Sequence, residues 1–234
     1  MTGAGQRVGR ALALALAEAG CRVGVHYNTS TEPAQETVQT LWAMGAEAEA
    51  FQADLAEARE ATELVARVRR RFGLLHILVN NASLFGRQTL QDITPADWDR
   101  YFAVNVRAPF LLAQAMAASL PPGTAGKVIN LGDWRTARKN RFAYGASKAA
   151  LSGLTRSLAY ALAPGIQVNE IALGAILLPA DASPDRPKES QDTGEVPAAR
   201  MGTLNEVAQA MMALVLNDYI TGERVRVDGG RHIV

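Results

Sequence analysis

The sequence predicts one α/β domain in which helices cover both faces of a doubly wound parallel sheet. Helical and strand patterns alternate along the 234 residues, as they do in chains built from βαβ units. The segment 74–82 is almost continuously apolar, which is typical of a strand buried on both faces of a parallel sheet. Neither a linker nor an internal repeat divides residues 1–234, so we expect a single domain.

The first elements follow from short local patterns. An Ala/Leu-rich helix is predicted over 7–19, because Gly20 suits the C-terminus of a helix. The β-rich segment 22–27 is the first predicted strand. A helix follows over 32–44, with Pro33 in its first turn, where proline costs no hydrogen bond.

The remaining elements repeat this alternation. Residues 48–55 form a predicted strand, 58–72 a predicted helix, and 94–120 contain one or two helices. The later elements are strands at 127–133, 166–173 and 223–230 and helices at 144–163 and 205–216.

The segment 179–197 breaks the pattern, since it is polar, aperiodic and contains four prolines. Irregular segments of this length in compact domains are usually lids, binding loops or disordered chain. We interpret the segment as a mobile substrate loop, with plain disorder as the alternative.

Composition and charge narrow the function classes. The formal net charge is +1, so nothing global indicates a nucleic-acid partner, and the basic run 67–73 fits a solvated helix face better. The single cysteine, Cys21, lies in an apolar stretch and is expected to be a core residue rather than a catalytic thiol. No run of the sequence suggests a membrane span or a signal peptide, so a cytoplasmic enzyme is the expectation.

Three glycines, Gly3, Gly5 and Gly9, surround the start of the first helix. Glycines allow backbone N–H groups to approach a pyrophosphate, and the helix N-terminus adds partial positive charge. By itself the pattern is a weak signal, and an ordinary glycine-rich loop is the favoured alternative.

Tyr144 and Lys148 are four residues apart on a predicted helix, so their side chains share one face. An ammonium group beside a tyrosine lowers the pKa of the hydroxyl, because it favours the phenolate. Such a pair is suited to give a proton to a substrate that accepts a hydride. Exposed helix decoration is the alternative, because this spacing also arises by chance.

Two further signals are the polar segment 80–83 and Asn105, for which a polar turn and a helix-capping asparagine are the plain alternatives. The segment follows the apolar strand, and ligands of open α/β sheets bind at the carboxyl ends of strands. In order, TGxxxRxG, NNAS, NV, YxxxK and VDGG resemble the short-chain dehydrogenase/reductase family over essentially the whole chain. The resemblance implies a Rossmann-type fold, a nicotinamide cofactor and commonly a homotetramer.

The resemblance also implies roles for individual residues. Tyr144 is expected to donate the proton, and Lys148 to lower its pKa and bind the nicotinamide ribose. Asn105 is expected to hold the lysine through water, and Asp54 to contact the adenine. The other implied cofactor contacts are Gly3, Gly5, Val8, Gly9, Tyr27, Leu55, Asn81, Ala82 and Ser83.

Two positions depart from the general family pattern. Arg7 stands where the family usually has the middle glycine of its cofactor loop, and Asp133 where it usually has a catalytic serine. Ser147 lies inside the YxxxK segment, so it cannot take that serine's place. These departures, together with HY at 26–27 and the segment NNASLF, are similar to the pteridine reductases and bacterial dihydromonapterin reductases.

A flat pterin suits the residues at these positions. Phe85 is expected to stack on the ring, with an ordinary core role as the alternative. Arg7 is expected to bind cofactor phosphate, either alone or together with the polar edge of the pterin. Asp133 is expected to act with Tyr144 in proton delivery to a ring nitrogen, because a lone buried carboxylate would be unfavourable. Ser83 completes the expected substrate contacts.

The cofactor is expected to be NADPH. Enzymes that use NAD commonly place a carboxylate after the second strand, on the ribose 2′-hydroxyl. Here Asn28, Thr29 and Ser30 follow the segment 22–27, and neutral donors favour a 2′-phosphate. A basic residue is missing from this stretch, and Arg7 is expected to supply some of the charge.

The sequence therefore predicts an NADPH-dependent reductase that converts a dihydropterin or dihydrofolate to the tetrahydro form. It is expected to use no metal and to bind neither nucleic acid nor membrane. A carbonyl reductase acting on a 3-oxoacyl or sugar substrate is one alternative. A non-catalytic dinucleotide-binding protein is the other.

The glycine-rich turn normally follows a strand in the middle of the sheet, and here one residue precedes it. We expect this first strand to be missing or truncated and the natural start to lie roughly 6–10 residues upstream, because its loss exposes two strand edges. If the chain does begin at Met1, weak cofactor binding and poor stability are expected.

Overall fold

The computed structural model describes residues 1–178 and 196–234. Its α-helices are α1 (Arg7–Glu18), α2 (Thr31–Ala43), α3 (Ala58–Phe72), α4 (Pro95–Phe102), α5 (Ala108–Ser119), α6 (Phe142–Leu162) and α7 (Leu204–Leu216). Its strands are β1 (Val23–Tyr27), β2 (Ala48–Gln52), β3 (Ile77–Asn80), β4 (Gly126–Asp133), β5 (Ile166–Leu173) and β6 (Arg224–Val227). Each predicted helix and strand is confirmed in type, and the ends differ by a few residues.

The region 94–120, predicted as one or two helices, contains two α-helices and a π-helical turn between them. Between α4 and α5 the chain forms a π-helical turn, Ala103–Arg107. The start of α4 is fixed by a capping box, in which Thr94 and Asp97 bond each other's backbone N–H groups. Single π-helical turns are frequent at functional sites, and this one carries Asn105.

All strand pairs are parallel. The strands β3, β4, β5 and β6 form a four-stranded sheet in that order, and β1 pairs with β2. Parallel neighbours need crossover connections, so the strands all end at the same edge of the molecule. The predicted Rossmann-type α/β fold is confirmed.

Met1 and Thr2 lie between β1 and β3 and connect the two sheets. The Met1 ammonium donates to the Gly24 carbonyl at 2.8 Å, and the His26 N–H donates to the Met1 carbonyl at 3.0 Å. The Thr2 N–H donates to the Val79 carbonyl at 2.9 Å. A cavity of about 270 Å³ lies beside these residues, between the beginnings of β1 and β3. In the described chain, therefore, these two residues take the place expected of the first strand.

Two apolar cores flank the sheets. In β4, Ile129 and Leu131 belong to the core formed with α1, α2 and α7, whereas Val128 belongs to the core formed with α3, α5 and α6. Successive side chains of a strand point to opposite faces, so the helices form one layer on each side. This arrangement leaves the strand ends open for a ligand.

The basic run 67–73 lies at the end of α3. Arg71 forms ion pairs with Glu47 and Glu49, which agrees with a solvated helix face. Cys21 is half-buried, and burial raises the pKa of its thiol, so it lacks the thiolate character of a nucleophile.

Most of the expected substrate loop, residues 179–195, lies outside the described residues. Within residues 1–178 and 196–234, none of the helices combines the length and the apolar character needed to cross a membrane.

Candidate active site

The carboxyl ends of the strands surround a cavity of about 680 Å³. Gly3 and Gly9 line it from the turn that leads into α1, and Tyr144 and Lys148 line it from α6. In parallel α/β sheets, ligands bind at this edge because the loops that follow the strands meet there. The cavity brings together the predicted cofactor turn and the predicted catalytic pair.

Hydrogen bonds from both sheets hold the opening turn. The Thr2 hydroxyl accepts the N–H groups of Asn81 at 2.9 Å and Ala82 at 3.0 Å, and Asn81 Nδ2 donates to the Gly3 carbonyl at 2.9 Å. On the other side, the Gly3 N–H donates to His26 Nδ1 at 3.1 Å. Burial lowers the pKa of His26 to about 4, so the ring is neutral at pH 7 and Nδ1 can accept this bond.

At Gly5 and Gly9 the neighbouring backbone leaves no room for a side chain. A Cβ atom on Gly9 would lie 2.0 Å from the Gly3 carbonyl oxygen, and one on Gly5 would lie 3.0 Å from the Ala34 nitrogen. Gly3 has a φ of +58°, in the left-handed region that favours glycine. These residues fit a dinucleotide pyrophosphate at the N-terminus of α1.

Most of the predicted cofactor residues line the cavity. They are Gly3, Arg7, Val8, Gly9, Asn28, Asp54, Leu55, Asn81, Ala82, Ser83, Tyr144 and Lys148. Four others do not line it, namely Gly5, Tyr27, Thr29 and Ser30. Gly5 packs against α2, and the chain bends into α2 after Asn28, which takes Thr29 and Ser30 away from the wall. Of the three neutral donors expected at the ribose, Asn28 is the one placed at the cavity.

Arg7 begins α1 with an unusual backbone conformation. Its φ is +54°, which is strained for a residue with a Cβ atom. The side chain lines the cavity and donates from Nη2 to the Leu178 carbonyl, beyond β5. This position is compatible with phosphate binding alone and with the additional role toward a substrate.

Asp133, at the end of β4, binds Tyr144 and Arg138. The Tyr144 hydroxyl donates to Asp133 Oδ2 at 2.8 Å. Arg138 Nη2 donates to the two carboxylate oxygens at 2.7 and 2.9 Å, and the Arg135 N–H donates to Oδ1 at 2.8 Å. These donors compensate for the burial of the carboxylate. The expected contact between Asp133 and Tyr144 is present, and its catalytic role stays a prediction.

The pKa of Tyr144 is raised well above its usual value, not lowered. Burial is the largest cause and the negative charge of Asp133 the next, while Arg138 and Arg141 act in the opposite direction. Burial and Asp133 thus outweigh the cations in this arrangement, and the expected effect of Lys148 on the pKa of Tyr144 stays a prediction. Tyr144 keeps its proton at neutral pH and presents it as a hydrogen-bond donor.

Lys148 is buried on α6 and points toward β4. Its Nζ donates to the Leu131 carbonyl at 2.7 Å and lies 5.8 Å from the centre of the Tyr144 ring. Burial lowers the pKa of Lys148 to about 8, although Asp133 and Glu170 raise it. Because this pKa is close to neutral pH, nearby charges affect the fraction of Lys148 that is protonated.

Asn105 is buried in the π-helical turn and bonds the segment that follows β3. Its Oδ1 accepts the Leu84 N–H at 2.8 Å. Its Nδ2 donates to the Leu84 carbonyl at 3.2 Å and to Ser147 Oγ at 3.0 Å. Asn105 therefore joins the cavity wall to α6 one residue before Lys148, and the link to Lys148 through water stays a prediction.

Phe85 lines the cavity beside Tyr144. Its ring meets Tyr144 edge to face, with centroids 4.7 Å apart and planes at 81°. The guanidinium carbon of Arg141 lies 3.6 Å from the Phe85 centroid, so it covers one face of the ring. Ser83 is exposed nearby and donates to the Leu84 carbonyl at 3.2 Å.

Several cavity residues are absent from the sequence prediction. Besides Arg138, they include Trp134 and Arg231, whose guanidinium carbon lies 4.8 Å from the Trp134 ring. For Arg138 and Trp134 the sequence does contain a signal, because the arginine-rich segment DWRTARKNR directly follows the end of a predicted strand, where ligands bind. In the described parts of the chain, no group of His, Cys, Asp or Glu is arranged to hold a metal.

Known proteins resemble the chain over its whole length. A family model described as Enoyl-(Acyl carrier protein) reductase matches residues 3–232. The chain belongs to the short-chain dehydrogenase/reductase family. A member of this family, the 3-oxoacyl-[acyl-carrier-protein] reductase FabG of Staphylococcus aureus, is 35% identical over 239 residues, which cover 100% of this chain and 97% of that protein.

Solved structures of other short-chain dehydrogenase/reductases are similar as well. FolM alternative dihydrofolate reductase 1 from Brucella canis, complexed with NADP, has a TM-score of 0.91 and 35% identity, covering 100% of this chain and 93% of that chain. A blue fluorescent protein from a metagenomic library, in complex with NADPH, has a TM-score of 0.87 and 34% identity over 98% of this chain and 95% of that one. Identity does not separate FabG from FolM, so the substrate has to be argued from the site.

Proposed function

We propose that the protein is an NADPH-dependent pterin reductase, which converts a dihydropterin or dihydrofolate to the tetrahydro form. The observation that carries this proposal is Asp133, in place of the usual serine, bonded to Tyr144 at 2.8 Å and held by Arg138. A carboxylate here suits a substrate whose ring nitrogen takes up a proton. It would repel the negative charge that develops on a ketone oxygen. The similarity to FolM supports the same substrate class.

NADPH is the cofactor in this proposal, and it supplies a hydride to the C=N carbon of the substrate. In this proposal the pyrophosphate binds at the N-terminus of α1 beside Gly3 and Gly9, and Lys148, which lines the same cavity, binds the ribose. The wall at Asn28 offers a neutral donor, and Arg7 offers positive charge for a 2′-phosphate. The solved relatives that hold NADP or NADPH support this assignment.

The proton comes from Tyr144 Oη. Because its pKa is raised, the hydroxyl is protonated at neutral pH, and its proton lies in the hydrogen bond to Asp133 Oδ2. Delivery therefore requires the hydroxyl to turn from Asp133 to the ring nitrogen of the bound substrate. When the proton passes to the ring nitrogen, a phenolate remains. The positive charges of Arg138 and Arg141 stabilise it and offset part of its repulsion by Asp133, until it takes up a proton again from solvent. Phe85, which lines the cavity beside Tyr144, orients the flat substrate by aromatic contact.

A second candidate function is the reduction of a 3-oxoacyl substrate. The observation that favours it is the full-length similarity to FabG of Staphylococcus aureus. A non-catalytic dinucleotide-binding protein fits less well, because Tyr144, Lys148 and Asp133 all face one cavity.

Replacement of Asp133 by serine separates the two enzymatic candidates. We expect Asp133→Ser to lower kcat/KM for a dihydropterin by about 100-fold, because proton delivery is lost, and to raise turnover of a 3-oxoacyl thioester. NADPH oxidation with each substrate measures both effects. Asp133→Asn keeps the shape without the charge and is expected to lose pterin reduction without gaining the other activity. Undiminished pterin reduction by Asp133→Ser would rule out the proposed role.

A homotetramer is part of the same proposal, as is common in the family. Light scattering of the purified protein measures its mass in solution, and a monomeric mass would contradict this part of the proposal.

A further inference from the structure

A row of polar side chains, three of them buried, crosses the four-stranded sheet near the active site. Asn80, Asn130, Glu170 and Arg224 are successive partners on β3, β4, β5 and β6. Asn80 Nδ2 donates to Asn130 Oδ1 at 2.8 Å. Glu170 is 1% exposed, although it carries a carboxylate. A buried carboxylate inside a sheet is unfavourable for folding, so its presence calls for a functional explanation.

Glu170 is packed closely against its neighbours. Its Oε1 lies 3.1 Å from Arg224 Nε, and in the described parts of the chain neither carboxylate oxygen has a hydrogen-bond partner. A Cβ atom on Gly132 would lie 1.9 Å from Oε1, so the glycine makes the room that the carboxylate occupies. Gly132 directly precedes Asp133, which places Glu170 beside the end of β4.

The Glu170–Arg224 pair reaches two groups of the active site. Arg224 Nη2 donates to the carbonyl oxygen of Asp133. The charge of Glu170 raises the pKa of Lys148 against the effect of burial. The other titratable groups near Lys148 are Asp133 on β4 and Tyr144 on its own helix. The pair therefore contacts or influences residues of the site without lining the cavity itself.

We propose that Glu170 is a positioning residue of the active site. Through Arg224 it fixes the end of β4 that carries Asp133. Its carboxylate, packed on Gly132, holds negative charge next to Leu131, whose carbonyl accepts from the Lys148 ammonium that binds the cofactor. This inference rests on the proposed role of Lys148 in binding NADPH, and it holds whichever substrate is reduced.

Glu170→Gln tests the inference, because it keeps the size and removes the charge. The Arg224 side chain is 28% exposed and can turn toward water, so we expect the variant to fold. Without the carboxylate, Lys148 loses its proton at lower pH. NADPH affinity, measured by fluorescence titration, is expected to decline at high pH as Lys148 loses its proton. In the variant we expect this alkaline limb of the pH profile, and that of kcat, to lie about one pH unit lower than in wild type. Glu170→Met, a second neutral variant, is expected to give the same shift.

The matched control is Lys127→Gln, at the other end of β4. Lys127 Nζ lies 2.7 Å from Asp218 Oδ1, so this variant also removes a charge from a buried strand position, but away from the site. We expect it to leave the pH limb in place. An unmoved limb in both Glu170 variants would overturn the inference. A shifted limb of NADPH binding, without turnover of any pterin, would support the inference while contradicting the proposed substrate.

Discussion

Asp133 depends on Arg138, which donates to both of its carboxylate oxygens. In Arg138→Gln we expect kcat for a dihydropterin to fall by at least about 10-fold, because Asp133 no longer stays fixed against Tyr144. The affinity for NADPH is expected to remain unchanged. Steady-state NADPH oxidation and a fluorescence titration measure the two quantities.

The control for this prediction is Arg135→Gln on the same segment. The Arg135 side chain donates from Nε to the Ala137 carbonyl at 3.1 Å, whereas its backbone N–H is what bonds Asp133. Kinetics close to wild type are therefore expected for the control. If both variants lose the same activity, general damage to the segment, and not the ion pair, explains the loss.

Arg7 has a strained backbone conformation, and its side chain carries the positive charge proposed to bind the cofactor phosphate. Arg7→Gly is expected to raise the free energy of unfolding by about 1 kcal/mol, because glycine adopts its φ of +54° without strain. The same variant is expected to weaken NADPH binding by about 10-fold, through loss of a charged phosphate contact. Denaturant unfolding and fluorescence titration measure these effects.

Arg7→Gln separates the two contributions, because it keeps the Cβ atom and removes the charge. We expect it to weaken NADPH binding to the same degree with no gain in stability. Greater stability in Arg7→Gln than in Arg7→Gly would show that the positive φ is not a source of strain.

The sequence motifs correctly predicted which polar residues meet at the cavity. Tyr144, Lys148 and Asp133 meet at the cavity because each stands at a fixed place on a helix or at a strand end. The sequence did not anticipate Thr2 bonding Asn81, since the two are 79 positions apart. The direction of the Tyr144 pKa shift was also missed, because it depends on burial, which spacing alone does not reveal.

At the scale of elements, the segment 134–141 is held against α6 by a glycine. A Cβ atom on Gly145 would lie 1.9 Å from the Thr136 carbonyl oxygen. Gly145→Ala is therefore expected to displace the segment that carries Arg138, and to lower kcat by at least about 10-fold. Steady-state kinetics with NADPH and a dihydropterin measure the loss.

Gly153 on the same helix is the matched control. Nothing lies within 4 Å of a Cβ atom placed there. Gly153→Ala is expected to keep its activity and to gain up to about 1 kcal/mol in unfolding free energy from helix propensity. A similar loss of kcat in both variants would contradict the packing argument.

Periodicity predicted the elements well because it is local. The predicted strand 74–82 is longer than β3 (Ile77–Asn80), since the apolar residues Leu74 and Leu75 precede the first ladder pair. The π-helical turn at 103–107 was not predictable, because it depends on contacts that Asn105 makes with Leu84 and Ser147.

At the scale of the whole molecule, His26 connects stability to pH. Its Nδ1 accepts from Gly3, its Nε2 lies 3.1 Å from the Ala53 carbonyl, and burial lowers its pKa to about 4. The unfolded chain binds this proton near pH 6.5, so folding stability is complete above that pH and falls as the pH drops toward 4. We expect a loss of about 3 kcal/mol across this window.

Urea unfolding at several pH values measures how the free energy of unfolding depends on pH, and two variants test whether His26 causes this dependence. His26→Gln is expected to flatten the dependence between pH 4 and pH 6.5 relative to wild type. His76→Gln, at an exposed position, is expected to keep it. An equal slope in wild type and His26→Gln would contradict the assignment.

The sequence also anticipated the overall topology, because alternating helices and strands leave few arrangements other than a covered parallel sheet. The division between β1 and β3 was anticipated in part, from the position of the glycine turn. The bonds by which Met1 and Thr2 connect the two sheets were not, since they involve the distant Gly24 and Val79.

The central claim is that a pterin, rather than a ketone, is the substrate. Its most direct test is NADPH oxidation by the purified wild-type protein with dihydromonapterin, dihydrobiopterin, dihydrofolate and a 3-oxoacyl thioester. We expect kcat/KM for at least one dihydropterin or dihydrofolate to exceed that for the thioester by about 100-fold or more, because Asp133 disfavours a developing oxyanion. Turnover of the thioester with none of the three pterin compounds would contradict the claim.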